Sequence, residues 1–408
     1  MTIKEAKQAL SEIIMMYLQK DEKGNYMIPE NHQRPAALIG PAGVGKTEAV
    51  RQVARELKIG FLSYSITHQT RQSAVGLPII KEREFCGRKY QITEYTMSEI
   101  IADVYKRIEE GEREGILFLD EFNCASETLA PAMLQFLQNK TFGNHKLPKG
   151  WIIVVAGNPA EYNKSVKEID TVTQDRLRNL SVKEDLECWE EYAAQKGMHS
   201  LILTYLQQSP KDFYVFEKTK AGRDIVTPRA WEDLSVTLKS YEHLGFEVRE
   251  NIIAQVIQCK RIVRSFMNCY QLYRTIAQNG EIEEILAGKN LDTHARRYSS
   301  KDFNEKWAIV TVLIDRSVAL AEKMDKDESS KNKNYELINR RITNCLSFLQ
   351  LAFGKGPETE VYMNHLIKNK NLATVLLHCD NPTYEKLCEG MLFDNTEALI
   401  KREIKKVI

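Results

Sequence analysis

The sequence predicts an α/β fold: a doubly wound parallel sheet with flanking helices at the front, followed by an all-helical remainder. Three observations carry that prediction. Short apolar runs bounded by glycine or charge alternate with amphipathic stripes as far as Val182, the order expected of parallel strands joined by crossover helices. The stretch Gly40-Pro41-Ala42-Gly43-Val44-Gly45-Lys46-Thr47 lies between an apolar run at 36–39 and a helix-compatible segment opening at Glu48. From Glu184 the alternation ceases, and apolar residues recur mainly at helical spacing.

The elements follow in order. Ile3, Ala6, Leu10, Ile13, Ile14, Tyr17 and Leu18 form one face of an opening helix. A Gly/Pro/Asn-containing loop at 24–35 leads to the first strand and the glycine-rich stretch. The helix behind it carries Val50, Val53, Ala54 and Leu57 and stops at Gly60, and 61–66 is the second strand. An irregular piece with Gly76-Leu77-Pro78-Ile79-Ile80, a charged turn at Gly87 and Tyr90-Gln91-Ile92 is read as a short β-hairpin. Thr96-x-x-Glu99 has the form of a capping box before Ile100, Ile101, Val104 and Ile108. Ile116-Leu117-Phe118-Leu119 suits a strand buried on both faces and runs directly into Asp120-Glu121. A helix with Leu129, Met133, Phe136 and Leu137 follows, then a buried strand at 151–156 ending in Gly157-Asn158-Pro159, and a last strand at 180–182.

In the remainder, short helices are expected around Trp189 and Leu201, an extended segment at 213–216, and helices at 231–241 and 252–273. Trp307, Val310, Ile314, Ala321 and Met324 mark another helix, 325–334 a polar exposed loop, and Ile338, Ile342, Leu346, Leu349 and Phe353 the helix after it. Such stripes are ordinarily bundle core.

Composition sets limits. With 43% hydrophobic and 28% charged residues in 408, the chain has a soluble globular make-up and room for two or three domains. A net charge of +1 supplies no global field for nucleic acid or membrane, so any such site would be local. The eight cysteines form no C-x-x-C pair and no cluster with histidine at metal-ligand spacing, which argues for reduced thiols and against zinc. Lys4, Glu5, Lys7 and Glu12 interrupt the apolar residues of the N-terminus, so no signal peptide is expected. No apolar run reaches about 18 residues. The expectation is a cytoplasmic protein without a membrane span.

The glycine-rich stretch fits G-x-x-x-x-G-K-[ST] in the strand–loop–helix setting that this phosphate-binding pattern needs. Its glycines let the backbone turn tightly and close on a ligand. Successive N–H groups at a helix N-terminus then hold phosphate oxygens. Lys46 would reach the terminal phosphates and Thr47 would ligate Mg²⁺. In a doubly wound sheet ligands lie at the carboxyl ends of the strands, where 40–47, Asp120-Glu121 and Asn158 all fall. Asp120 would hold Mg²⁺ opposite Thr47, and Glu121 would deprotonate or polarise the attacking water. An acidic pair after a strand is also ordinary in a solvated turn; the upstream phosphate loop favours chemistry. Asn158 has an amide able to meet the γ-phosphate or the water, and also suits an Asx-turn before Pro159. Arg176 and Arg178 lie just before the last strand, where an arginine given to a neighbouring subunit's γ-phosphate can raise the rate by about 10³-fold or more; pairing of Arg176 with Asp175 is the simpler alternative. Thr227-Pro228-Arg229 reads as N-cap, first-position proline and a first-turn cation. A cation there opposes the helix dipole unless an anion such as a nucleotide phosphate is near; solvation, or pairing with Glu232 or Asp233, is the alternative.

Together these residues resemble an AAA+ ATPase, and within that superfamily the MoxR-like, helix-2-insert branch. Residues 40–47 resemble Walker A, 116–121 Walker B, Asn158 sensor 1, Arg176 the arginine finger (with Arg178 as its alternative) and Arg229 sensor 2. The hairpin at 76–92 sits where that branch interrupts its second helix. The resemblance spans roughly residues 30–280, and it is the order and spacing of the five motifs that carry it. It implies ATP with Mg²⁺ on a P-loop NTPase core, bound by Gly40, Pro41, Ala42, Gly43, Val44, Gly45, Lys46, Thr47, Glu48 and Arg229. Catalysis would fall to Glu121, Lys46, Asn158, Arg176 and Arg229, and the metal to Thr47 and Asp120. It further implies a homo-oligomeric ring, usually hexameric, and chaperone-like remodelling of a protein client or of a von Willebrand factor A domain partner. The expected division is an α/β nucleotide-binding domain at 1–182 with its insert at about 75–95, a helical lid at 183–292 and a helical extension at 293–408. An NTP-driven motor on nucleic acid, with possible GTP use, is the competing reading. Near-neutral charge speaks against it, and the basic tail at 401–406 has no interleaved aromatics.

Overall fold

The computed structural model describes residues 1–159, 171–219, 222–324 and 331–388. Contacts divide the chain into two compact units, the first ending at Asp185. In the first, Thr2 opens α1 (Ile3–Leu18) with a reciprocal cap: the Glu5 N–H donates to Thr2 Oγ1 at 3.2 Å and the Thr2 N–H to Glu5 Oε2 at 2.9 Å. There follow β1 (Ala36–Ile39), α2 (Lys46–Leu57), β2 (Gly60–Ser65), α3 (Arg71–Val75), β3 (Pro78–Phe85), β4 (Arg88–Tyr95), α4 (Glu99–Glu109), β5 (Gly115–Asp120), α5 (Ala130–Asn139), β6 (Thr141–Phe142), β7 (His145–Lys146), β8 (Trp151–Gly157), α6 (Thr171–Asp175) and β9 (Arg178–Ser181).

Five strands form one sheet in the order β2-β5-β8-β1-β9, every neighbouring pair parallel. Strand alternation explains its two faces. Leu38, Phe118 and Val154 pack with Leu10 and Ile14 of α1 and Val50 of α2. Ala37, Leu119 and Val155 pack with Ile101 of α4 and Phe136 of α5. Both faces are therefore covered, as the uninterrupted apolar runs of β5 and β8 require. The doubly wound parallel sheet of a P-loop NTPase core is present. Ser65 of β2 is in register with Asp120 of β5, and Ile39 of β1 with Gly157 of β8 and Ser181 of β9, which gathers five strand ends at one edge.

Three local expectations shift. The cap of α4 is Ser98, whose Oγ accepts the Ile101 N–H, because Thr96 instead closes the hairpin, exchanging hydrogen bonds with Leu77 through its N–H and its Oγ1. The hairpin lies within the expected insert but runs on to Tyr95, past the Tyr90-Gln91-Ile92 run that marked its second strand, with eight residues in each of β3 and β4. The helix expected at 252–273 is broken: α10 (Glu250–Ile253) ends, Gln258 bridges to Ile225, and α11 (Lys260–Ala277) starts afresh.

The second unit begins with α7 (Leu186–Gln195) and α8 (Ser200–Gln208). The extended segment near Phe213 becomes β10 (Val215–Thr219), antiparallel to β11 (Gly222–Val226). Helix α9 (Pro228–Leu244) precedes α10 and α11. Then come α12 (Glu281–Leu286), α13 (Leu291–Ser299), α14 (Phe303–Met324), α15 (Lys331–Phe353), α16 (Pro357–Lys368), α17 (Lys370–His378) and α18 (Pro382–Cys388). One apolar core runs from Trp189 to Cys388, and α14 packs on α8 and α11. Helices on either side of residue 292 thus share a core. The loop expected at 325–334 gives way to α15 from Lys331; its first part, and the basic tail, lie outside the described residues. Among the described residues no helix is long and apolar enough to cross a membrane.

The second core contains a titratable group with a measurable consequence. His365 is 5% exposed, its Nε2 has no hydrogen-bond partner among the described residues, and burial, then the nearby Lys368 charge, lowers its pKa to about 4. In the unfolded chain it titrates at about 6.5. Between those values the unfolded state binds the extra proton, so stability is intact above the unfolded value and falls as the pH drops towards the folded one. Acidification from pH 7 to 4 is expected to cost at most roughly 3 kcal/mol through this residue. Urea titrations at both pH values should show a smaller difference in His365→Leu than in the parent chain.

Candidate nucleotide-binding site

The loop between β1 and α2 is built by close approach. A Cβ on Gly40 would fall 2.5 Å from the Val182 carbonyl oxygen, so only glycine fits where β1 leaves the sheet beside β9. Pro41 and Lys46 are buried, Ala42 is exposed, and Gly43 and Val44 are half-buried. Gly45 caps α2 in the left-handed conformation, φ +90°. The Lys46 ammonium donates to the carbonyls of Gly40 at 2.8 Å and Pro41 at 2.7 Å and to Asn158 Oδ1 at 2.9 Å. Loop and β8 terminus therefore meet on one cation. Glu48 lies in the same first turn, its carboxylate engaged by Arg51 at 3.1 Å and Gln52 at 3.4 Å, so any contact it makes with a phosphate falls to its N–H.

Thr47 Oγ1 donates to Asp120 Oδ2 at 2.8 Å. Two hard oxygen ligands side by side at the phosphate loop suit Mg²⁺, which keeps several waters and takes further oxygens from phosphate. No group of three or more His, Cys, Asp or Glu able to hold a metal occurs among the described residues, and a phosphate-bound Mg²⁺ needs none.

Glu121 has φ +54° and ψ +33°, a left-handed backbone that disfavours side chains by about 1–2 kcal/mol. Such outliers persist where neighbours over-determine them. Here Glu121 Oε2 accepts from Ser65 Oγ at 3.0 Å and Thr67 Oγ1 at 2.9 Å, and its N–H donates to Asp120 Oδ1 at 2.9 Å. Burial, then the charges of Glu121 and Asp120, pushes the thiol of nearby Cys124 up from its ordinary pKa.

Arg176 is exposed, and its side chain has no hydrogen bond or ion pair among the described residues; the pairing with Asp175 is not seen there. Instead the Asp175 carbonyl accepts from Arg34 at 2.6 Å. Arg178 lies 5.4 Å from the centroid of the Tyr17 ring. Arg229 belongs to the second unit, on the first turn of α9, where Thr227 Oγ1 accepts the Ala230 N–H at 3.3 Å. It is exposed and pairs with neither Glu232 nor Asp233 among the described residues; Glu232 accepts instead from the Tyr192 hydroxyl.

Lys46, Thr47, Asp120, Glu121 and Asn158 come together at the carboxyl edge of the sheet. Sequence reasoning missed Ser65, Thr67 and Asn123. The first two were findable: once β2 is placed beside β5, its hydroxyl-bearing end must run next to Asp120. A shallow cavity of about 460 Å³ lined by residues such as Met15, Leu57 and Ile59 lies at the opposite, amino edge and adjoins none of this chemistry.

Residues 35–177 match the family model of the AAA domain (dynein-related subfamily). The matched stretch contains the phosphate loop, Asp120-Glu121, Asn158 and Arg176, and it supports an AAA+ ATPase, a nucleotide hydrolase of a family that binds ATP with Mg²⁺. No curated protein matches the chain.

Proposed function

We propose that this chain is an ATP-hydrolysing AAA+ protein of the MoxR-like branch. In this reading it works in the cytoplasm as a homo-oligomeric, hexameric ring that remodels a protein client or a partner bearing a von Willebrand factor A domain. The observation that carries the hydrolase reading is the convergence of Lys46, Asn158, Thr47, Asp120 and Glu121 on one sheet edge. The branch rests on the β3–β4 hairpin, which stands between α3 and α4 where a continuous second helix would otherwise run.

Each residue then has a task. The loop N–H groups and Lys46 bind the phosphates, and Thr47 and Asp120 would hold Mg²⁺, which would supply positive charge to offset that of the phosphates. Glu121 takes the proton of the attacking water, while Asn158 orients that water or the γ-phosphate. Arg176 serves the neighbouring subunit's phosphate: it projects from the surface without a partner among the described residues, whereas Arg178 is laid on Tyr17.

Turnover per chain should rise steeply with protein concentration, and Arg176→Ala should lose about 10³-fold. Mixing Arg176→Ala with Glu121→Gln should restore part of the activity, because one copy still brings the arginine and the other the carboxylate. Full turnover by a monomer sinks the ring, and full turnover by Arg176→Ala alone removes that arginine from the shared site.

The exposed hairpin favours one second reading. Arg83, Phe85, Arg88 and Tyr90 share a face, with the two rings 6.2 Å apart, a combination able to stack on bases. Steeply salt-dependent stimulation of turnover by single-stranded DNA would make the chain a nucleic-acid motor.

A further inference from the structure

We infer that Asn123 is a positioning residue that ties the Glu121 turn to the Asn158 segment, so that the group deprotonating the attacking water and the group contacting the γ-phosphate keep one register. The inference rests on the hydrolase reading above and adds a residue to it. Asn123 sits in the short 3₁₀ turn Phe122–Cys124, two residues beyond Glu121, and is 9% exposed. Its Nδ2 donates to the Asn158 carbonyl oxygen at 2.7 Å, a direct bond between turns that are 35 residues apart in sequence. Its Oδ1 is buried with no hydrogen-bond partner among the described residues and lies so close to Gly157 that a Cβ there would come within 2.6 Å of it.

A carboxamide this tightly enclosed, with its donor end committed to one acceptor, fixes a distance rather than merely filling space. Two neighbouring features give that distance a purpose. The Asn158 side chain is held by Lys46, so the segment that Asn123 grips also reports on the cation that would meet the phosphates. On the other side, Glu121 occupies a left-handed backbone conformation that needs support from its surroundings, and the turn containing Asn123 closes directly behind it through the Cys124 N–H to Glu121 carbonyl bond at 2.8 Å. Lys46, Asn158, Asn123 and Glu121 are thus linked in series. Removing the third member leaves both ends intact and their relative placement unguarded.

The test uses the full chain and three variants: Asn123→Ala, which removes the carboxamide; Asn123→Asp, which keeps its shape but sets an acceptor against the Asn158 carbonyl; and Asn123→Ser, which keeps a short donor. Nucleotide affinity from a fluorescent ATP analogue should stay within about threefold of the parent in all three, while kcat falls by about tenfold or more in Ala and Asp and less in Ser. In the double variant Asn123→Ala with Asn158→Ala, kcat should fall little below that of the slower single variant, because the two residues act along one path.

Unchanged kcat in Asn123→Ala overturns the inference. So does loss of affinity and melting temperature in step with kcat, which marks simple support of the fold, and so do single effects that multiply in the double variant. If the parent chain hydrolyses no nucleoside triphosphate at any concentration, the hydrolase reading fails and takes this one with it, an outcome recognisable before any variant is made.

Discussion

Glu121→Gln is expected to bind ATP as tightly as the parent chain and to hydrolyse it at least about a hundredfold more slowly, the range of a lost general base. The reasoning depends on what the substitution keeps. A glutamine carbonyl oxygen still accepts from Ser65 Oγ and Thr67 Oγ1, the two donors that hold Glu121 Oε2, so the turn and its left-handed backbone survive. Only the capacity to take a proton from water disappears. Binding by a fluorescent analogue and single-turnover hydrolysis in the same preparation separate the two quantities. Turnover within a few-fold of the parent would remove Glu121 from the chemistry; loss of binding would show instead that its charge supports the site.

Lys46→Ala is expected to weaken nucleotide binding by about 10- to 100-fold, the weight of one or two charge-assisted hydrogen bonds to phosphate. Part of that loss would be indirect, since the same ammonium engages the carbonyls of Gly40 and Pro41 and the amide of Asn158. Lys46→Met, which loses the same ammonium but retains the aliphatic stem in a buried slot, separates the part of the ammonium from that of stem packing. If both variants weaken binding equally, the charge is responsible; if Met is much milder, the packing of the stem is. Unaltered affinity in both would mean that the stretch at 40–47 is a glycine-rich turn without a ligand.

Much of this was readable from residue order because the chemistry is local. A phosphate loop must follow a strand and open a helix, and the apolar runs at 36–39, 116–119 and 151–156 are short enough to be strands and too uniform to be exposed. What escaped was whatever depends on which strand lies beside which. Ser65 and Thr67 gain meaning only when β2 is set in register with β5, and Asn123 only when the end of β8 closes over the turn behind Glu121. Thr96 misled for a related reason: a threonine three residues before a glutamate fits a cap, but the hairpin competes for the same hydroxyl and wins. The second half gave its stripes but not their grouping, because apolar residues at helical spacing are alike in every bundle, and the break before α11 turns on a single bridge from Gln258 to β11.

The three acceptors gathered around Lys46 bear on how a triphosphate arrives. Its anionic tail would have to take over an ammonium that is already well housed, so entry would be an exchange of partners and the net affinity the margin between two good sets of contacts. That exchange would also free the Asn158 amide, now held by the lysine, to meet the γ-phosphate or the water as the phosphates settle.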